Sequence, residues 1–276
     1  MSSQTIRAEA FKALHQRDGA FVIPNPWDAG SAKMLASLGF EALATTSAGL
    51  AFSLGRADGE GAISCAEILE NARSIVVATP LPVAADLENG FADEPPGCAE
   101  TILRAAAVGL VGGSIEDASG RAEQPIYPFE LAVERVKAAA QAARSLPFPF
   151  MLTARAENFL HGRADLADTL RRLEAYAEAG ADVLYAPGLR SREEIAAVVR
   201  AVAPRPVNVV MGLSGVSLSV AELADLGVKR VSVGSALARA AYGAFFRAAQ
   251  EIGGPGTFGF AEQALPFATL NGLFKS

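Results

Sequence analysis

Val83-Ala84-Ala85-Asp86-Leu87-Glu88-Asn89-Gly90 is the stretch on which the reading of this chain turns. Small and β-branched residues run into two carboxylates one residue apart, and Asn-Gly closes the run. On a strand, residues i and i+2 project from one face, so Asp86 and Glu88 are expected to point together. Two like charges held that close need a cation or a shared proton to relieve them. A polar strand end dissolving into a solvated turn is the plainer reading, and the stretch alone does not choose. The choice comes from the rest of the chain, where further strand ends carry charge in the same way.

Upstream, residues 3–18 place Ile6, Phe11 and Leu14 at helical spacing. Phe21-Val22-Ile23, closed by Pro24-Asn25-Pro26, reads as strand one. Asp28 is positioned to cap a helix that runs through Leu38 and stops at Gly39. Residues 42–46 form strand two, ending in Ser47-Ala48-Gly49, and a polar loop follows over 55–61, with Glu60 within it. Ser64 caps the next helix, with Glu67 at the capping-box position, and residues 83–86 are strand three. Downstream, strands are expected at 110–115, 150–155, 182–185, 207–211 and 231–233. They alternate with helices at 97–107, after the polar loop 118–128, at 165–179, 191–202 and 218–226, and after Gly234-Ser235. A Gly/Pro break at 253–256 sets off a last helical segment. Eight strands alternating with helices predict an α/β fold, a single (β/α)8 TIM-type barrel. It spans residues 1–276 as one domain, with an N-terminal helix and a C-terminal helical extension. The competing doubly wound sheet wants a glycine-rich first βα turn, which this chain lacks.

Composition narrows the function. With 276 residues, 51% of them hydrophobic, the chain can bury a large core, and a net charge of -6 without a Lys/Arg run excludes a nucleic-acid surface. No apolar run has the length to span a bilayer. Residues 1–17, beginning at Met1, mix polar and charged types and do not read as a signal peptide, so a cytoplasmic protein is expected. Cys65 and Cys98 make no disulfide framework or metal pattern and are expected to be buried free thiols.

In such a barrel the chemistry lies at the C-terminal ends of the strands. Ser47, Asp58, Asp86, Glu88, Glu116, Asp117, Arg155 and Glu157 fall there. By alternation only one of Glu116 and Asp117 can face the axis. The histidines are His15 and His161, so a zinc or two-histidine iron site is not indicated. Carboxylates and water suit Mg²⁺, which leaves positions for substrate oxygens. Arg155 is expected to clamp a substrate carboxylate or phosphonate, or else to pair internally with one of the acids. A chelated 2-oxo acid would lose a bond at C3 and leave an enolate. No lysine stands at a strand end for Schiff-base chemistry, Lys229 lying at the wrong face. Gly234-Ser235 is either a phosphate site or a plain helix cap. Asn208, on strand seven, either faces the site or is an ordinary polar strand residue.

At these residues the chain resembles the isocitrate lyase/phosphoenolpyruvate mutase superfamily. The matching pieces are Pro24-Asn25-Pro26-Trp27-Asp28, Thr46-Ser47-Ala48-Gly49-Leu50, Ala85-Asp86-Leu87-Glu88-Asn89-Gly90, Ser114-Ile115-Glu116-Asp117 and Thr153-Ala154-Arg155-Ala156-Glu157-Asn158-Phe159, and together they cover nearly the whole chain. The resemblance implies Asp86 as the principal Mg²⁺ ligand, with Glu88, Glu116 and Asp58 reaching the ion largely through water. It implies that backbone N–H groups of Ser47, Ala48 and Gly49 hold the substrate carboxylate, and that Arg155 contacts the departing group. Arg155 and Glu116 are the expected catalytic residues, and Asn208 joins the substrate-binding set. It further implies a gate after strand four and a last helix exchanged between subunits of a homodimer or homotetramer.

The departures bear on the reaction. Lyases of the superfamily carry a gate segment whose Cys is the acid; here the gate reads Ala118-Ser119-Gly120-Arg121-Ala122-Glu123-Gln124-Pro125, with neither Cys nor His. After strand six, Ala186-Pro187-Gly188 replaces the lyases' Glu. The longer, Asn-bearing gate of the phosphonomutases is missing too. The expectation is a Mg²⁺-dependent lyase-type enzyme acting on a small 2-oxo or 2-hydroxy acid substrate through an enolpyruvate-like intermediate. Water, Tyr127 or a gate residue then handles the proton. Carbon–phosphorus chemistry and a catalytically silent carboxylate-binding barrel are the alternatives.

Overall fold

The computed structural model describes residues 2–59, 61–212 and 217–275; Met1 of the leading segment and Glu60 of the polar loop lie outside them. Eight parallel strands are present: β1 (Phe21–Ile23), β2 (Leu43–Ala44), β3 (Val83–Asp86), β4 (Gly112–Glu116), β5 (Met151–Arg155), β6 (Val183–Tyr185), β7 (Val207–Val210) and β8 (Arg230–Ser232). They are laddered in the order β1-β8-β7-β6-β5-β4-β3-β2. The remaining seam is closed past the end of β1, where the Ala44 N–H donates to the Pro24 carbonyl at 3.1 Å. Asn25 fastens the same seam. Its amide donates to the Thr45 carbonyl at 3.0 Å, and its Oδ1 accepts from the Val233 and Gly234 N–H groups at 2.9 and 3.0 Å. The predicted (β/α)8 barrel is the fold.

The connecting helices are α1 (Ser3–Gln16), α2 (Ala29–Ser37), α3 (Ser47–Ser53), α4 (Cys65–Ala78), α5 (Pro95–Ala107), α6 (Phe129–Ser145), α7 (Leu166–Ala179), α8 (Arg192–Val202), α9 (Val220–Asp225), α10 (Ala236–Gly253) and α11 (Phe267–Phe274). Local chemistry sets their starts. Asp28 accepts from the Ser31 N–H at 2.7 Å, while the Ser31 hydroxyl takes the Asp28 N–H. Ser64 and Glu67 close the second capping box as the sequence indicates. α4 then buries Ile68, Leu69, Ala72, Ile75 and Val76, a 3.6-residue stripe turned to the strands. Among the described residues, no helix is long and apolar enough to cross a membrane.

α1 closes the N-terminal mouth of the barrel. Phe11 and Leu14 pack with Phe21, Met151 and Val183, and the Phe11 ring meets His15 and Phe21 edge to face at 4.7 and 6.5 Å. Gly112 permits this approach, because a Cβ there would lie 2.9 Å from both Phe11 Cε1 and the Met151 carbonyl. The barrel therefore has a solid floor and opens at the C-terminal ends of its strands.

Three local expectations are corrected. Ser47-Ala48-Gly49 is not the end of strand two, which stops at Ala44, but the first turn of α3, capped by Thr46. β3 ends at Asp86, and Glu88 has φ of 46°, so the strand alternation that paired the two carboxylates does not extend to Glu88. Cys98 is a buried free thiol, but Cys65 is only half-buried because it opens α4 beside the barrel mouth.

Candidate active site

At the C-terminal rim, carboxylates gather around one guanidinium. Arg155 ends β5, and its Nη1 lies 2.9 Å from Asp86 Oδ1, its Nη2 3.1 Å from Glu116 Oε2 and its Nε 2.8 Å from Glu157 Oε1. Its Cζ stands 5.2 Å from the ring centre of Tyr185. Glu116 and Tyr185 are its ladder partners on β4 and β6, so parallel register alone sets the three side by side. The internal pairing considered for Arg155 is thus realised with three acids rather than one. Burial works against the guanidinium charge, yet Glu116, Glu157 and Asp86 outweigh it and hold Arg155 well above its ordinary range.

Asp86 is fixed from the β2 side. Its Oδ2 accepts from the Ser47 hydroxyl at 2.8 Å and more loosely from the Ser47 N–H at 3.4 Å, while its own N–H donates to Thr45 Oγ1 at 3.1 Å. Ser47 and Ala48 line the inner cavity. The Gly49 N–H is already taken by Thr46 Oγ1 at 3.2 Å. Gly49 instead serves packing, since a Cβ would lie 2.6 Å from Thr46 Cγ2 and 3.0 Å from Trp27 Cβ.

The remaining acids are held above their ordinary range. Burial, then Asp86 and Asp58, push the Glu88 carboxyl up to about 7, with Arg155 opposing. Burial and Asp86 raise Asp58. Glu116 is raised well above the usual carboxylate range, chiefly by burial, which Arg155 opposes and Glu157, Asp86 and Glu88 reinforce. Asp117 faces away from the axis, as alternation requires of one of the pair. It accepts from the Tyr176 hydroxyl at 2.6 Å, from Arg172 Nη1 at 3.1 Å and from the Glu157 N–H at 2.8 Å. It is a brace for the β4 and β5 ends, not a member of the cluster.

Two connected spaces open here. An inner cavity of about 200 Å³ runs down the barrel axis from Ser47, Asp86 and Arg155 to Thr153, Asn208 and Arg230. An outer one of about 870 Å³ is walled by Asp58, Glu88, Glu116, Ser119 and His161. The gate is a short hairpin in which Ala118 bridges Ile126 and the Ser119 N–H donates to the Pro125 carbonyl at 2.8 Å. Tyr127 lines neither space. It is fully buried, and its hydroxyl donates to Asp93 Oδ1 at 2.5 Å and accepts from the Asn89 amide at 3.2 Å. Tyr127 tethers the gate and is set aside as a proton donor. The Gly234-Ser235 turn spends the Val233 and Gly234 N–H groups on Asn25, and Ser235 stands as the N-cap of α10, its carbonyl accepting from the Arg239 N–H at 2.8 Å without a side-chain capping bond; the helix-cap reading of that turn is the one the structure bears out.

The family model described as phosphoenolpyruvate phosphomutase matches residues 11–253. The chain belongs to that family. It is similar to a structure from Burkholderia cenocepacia J2315 described as a candidate lyase/mutase, with a TM-score of 0.97 and 62% identity over 99% of this chain and 97% of that one. It is 31% identical to 2-methylisocitrate lyase of Bacillus subtilis (strain 168) over 70% of this chain and 64% of the relative. The structure of oxaloacetate acetylhydrolase in complex with the product oxalate matches with a TM-score of 0.87 and 27% identity, over 96% of this chain and 93% of that one. The phosphoenolpyruvate phosphomutase family thus sits within a superfamily of lyases and mutases, and its fold carries this chain's acids to one rim.

Whether the family's expected metal suits these residues turns on the donors. Among the described residues, no three His, Cys, Asp or Glu side chains converge tightly enough to enclose an ion directly. The donors are nevertheless all oxygen and carry surplus negative charge, which suits a hard dication. Asp86 as the one direct ligand, with Glu88, Glu116 and Asp58 reached through water, fits that spread.

Of the lower half of the cavity, the sequence pointed to Asn208 but not to Arg230. Asn208 faces inward, 2% exposed, and accepts from Arg230 Nε at 2.8 Å. Arg230 itself was not singled out. Its signal is spacing: it stands two residues before Ser232 and four before Gly234, on the face that lines the axis.

Proposed function

We propose that this protein is a Mg²⁺-dependent lyase-type enzyme that acts on a small 2-oxo or 2-hydroxy acid through an enolpyruvate-like intermediate, with carbon–carbon cleavage as its reaction. The observation that carries the reading is the convergence of Asp86, Glu88, Glu116 and Asp58 with Ser47 and Arg155 over a closed-bottomed cavity. Asp86, with Glu88, Glu116 and Asp58 through water, would hold Mg²⁺, which would supply charge stabilisation for the oxygen of a 2-oxo acid as negative charge develops there.

The chain's own groups do the rest. The Ala48 N–H, at the positive end of α3, faces the substrate carboxylate, and the Ser47 hydroxyl and N–H, which rest on Asp86 Oδ2, turn to it in the loaded site. Arg155 already makes an ion pair with Asp86, and in the loaded site it exchanges that carboxylate for an anionic oxygen of the substrate. Tyr185 beneath it keeps the guanidinium plane fixed. The gate hairpin and Leu160 stand over the cavity and limit water. The family description favours carbon–phosphorus chemistry as a second reading, and a panel of 2-oxo acids and phosphonates separates the two.

The deciding experiment is a thermal shift with oxalate, with and without Mg²⁺. Oxalate imitates the enolate of pyruvate, and a ligand bound only to the folded state raises its stability. The expected result is a shift that needs both components, together with metal-dependent turnover that Asp86→Ala abolishes. No shift under either condition, or full activity in Asp86→Ala, refutes the metal assignment and turns the reading to a carboxylate-binding barrel.

A further inference from the structure

The floor of the inner cavity holds a cation that no described carboxylate neutralises. Arg230 is 6% exposed. Its Nε donates to Asn208 Oδ1 at 2.8 Å and its Nη2 to Thr153 Oγ1 at 2.9 Å, both neutral acceptors. Its Nη1 donates to no described group, although the residue lines the cavity. Burial pushes the guanidinium down to about 10, and the nearby Tyr185 hydroxyl alone works the other way. Isolated charge is costly to bury, and removal of one partner from a buried pair is more damaging than never having built the pair.

The surroundings keep the guanidinium aimed rather than quenched. Asn208 is the ladder partner of Arg230, and its amide donates to Ser232 Oγ at 3.0 Å, which turns Oδ1 toward Arg230. Below, α1 contributes His15 in place of an acid. His15 is held neutral, its pKa lowered to about 3 by burial and by Arg230, and its Nδ1 is spent on the Phe11 carbonyl. No described counter-charge approaches from beneath, so the cavity is the side from which an anion reaches Nη1.

We infer that the cavity floor is a second anion subsite with Arg230 as its charged group, and that the ligand is a dianion reaching from the Ser47–Ala48 rim to that floor. Arginine suits the task, because its fixed fork matches a carboxylate in two bonds. The substrate class narrows from 2-oxo or 2-hydroxy acids in general to those carrying a second carboxylate. This deepens the proposed function and rests on it for the rim subsite alone.

The test is a length series of dicarboxylates (oxalate, malonate, succinate and glutarate) measured by thermal shift and calorimetry on the whole protein, in EDTA and in Mg²⁺. Propionate and butyrate serve as partners of succinate and glutarate that lack the second carboxylate. Wild type is expected to bind a longer diacid more tightly than its monoacid partner. In Arg230→Met that diacid binds on the order of 30-fold or more weakly, whereas the shift with oxalate and Mg²⁺ persists. The same variant unfolds at a higher temperature than wild type without ligand, because a buried unpaired ion has gone. Arg230→Lys restores part of the binding. Equal responses of wild type and Arg230→Met to every diacid overturn the proposal. Should Arg230→Met not fold, the wild-type series decides alone, and no gain from the second carboxylate overturns it. Loss of the oxalate–Mg²⁺ shift in wild type removes the lyase reading but leaves the comparison in EDTA to judge the floor.

Discussion

Glu88 sits in a left-handed backbone conformation with Asp86 and Asp58 beside it, and its carboxyl is pushed up to about 7, first by burial. A folded-state value above the ordinary 4.5 means that folding favours the protonated form. That stabilisation is complete below about pH 4.5 and is lost as pH rises through about 7. In EDTA, the unfolding temperature of wild type is expected to fall across this window, and Glu88→Gln to flatten the fall. A variant that tracks wild type throughout would place the titration elsewhere. Asp117 presents the contrasting case, a carboxylate braced by Tyr176, Arg172 and the Glu157 N–H. Asp117→Ala strands those donors in the interior and is expected to lower stability by about 3–5 kcal/mol in urea denaturation. Glu116→Gln, one residue away, is expected to leave folding near wild type and remove turnover. Sequence alternation could say that these neighbours differ but not which one faces the axis, because strand phase is fixed by packing on both faces. Arg230 escaped for a related reason: an arginine opening a strand looks like a surface residue until the barrel closes around it.

The gate shows what an element adds to its residues. Arg121 pairs with Asp93 at 2.6 Å, and the Tyr127 hydroxyl reaches the same carboxylate at 2.5 Å, so the hairpin after β4 is tied to the loop after β3. Tyr127→Phe cuts one tether, with an expected loss of about 1 kcal/mol and faster proteolysis within 118–128. Turnover should stay within a few-fold; a loss of about 100-fold or more would return the hydroxyl to the chemistry. The barrel itself was legible from apolar runs, helix caps and their alternation. β1 and β3 fall where the sequence placed them, because Pro-Asn-Pro and the polar Asp86 end them abruptly. α3 was not legible. Its seven residues, Ser47–Ser53, are too few to show a period, and its start depends on Thr46 reaching the Gly49 N–H. The pairing of Asp86 with Glu88 was drawn from strand geometry, but a turn residue brings Glu88 to the site instead.

At the scale of the whole molecule, the C-terminal arm does not finish the barrel it belongs to. Of α10, Ala238 is the residue buried, and none is buried in the 3-10 turn Gly259–Gln263 or in α11. Phe245, Phe246, Phe258 and Phe267 are 71%, 62%, 65% and 83% exposed. α11 does reach back to α2, with Phe274 Cζ 3.8 Å from where a Cβ on Gly30 would lie, yet most of the arm's aromatic surface stays exposed among the described residues. Aromatic faces gathered on one segment mark an association surface rather than scattered surface apolarity. A second copy is the occupant expected to cover them, because an arm with this much exposed aromatic surface can pack on a neighbour's barrel and receive the same in return. Light scattering after size exclusion is therefore expected to give a dimer or tetramer of the 28.5 kDa chain. Phe245→Asp with Phe246→Asp should shift that mass toward monomer and make the unfolding temperature fall with dilution. A wild-type monomer at micromolar concentration, with both phenylalanines replaceable at no cost in stability, would show instead that the arm stands alone.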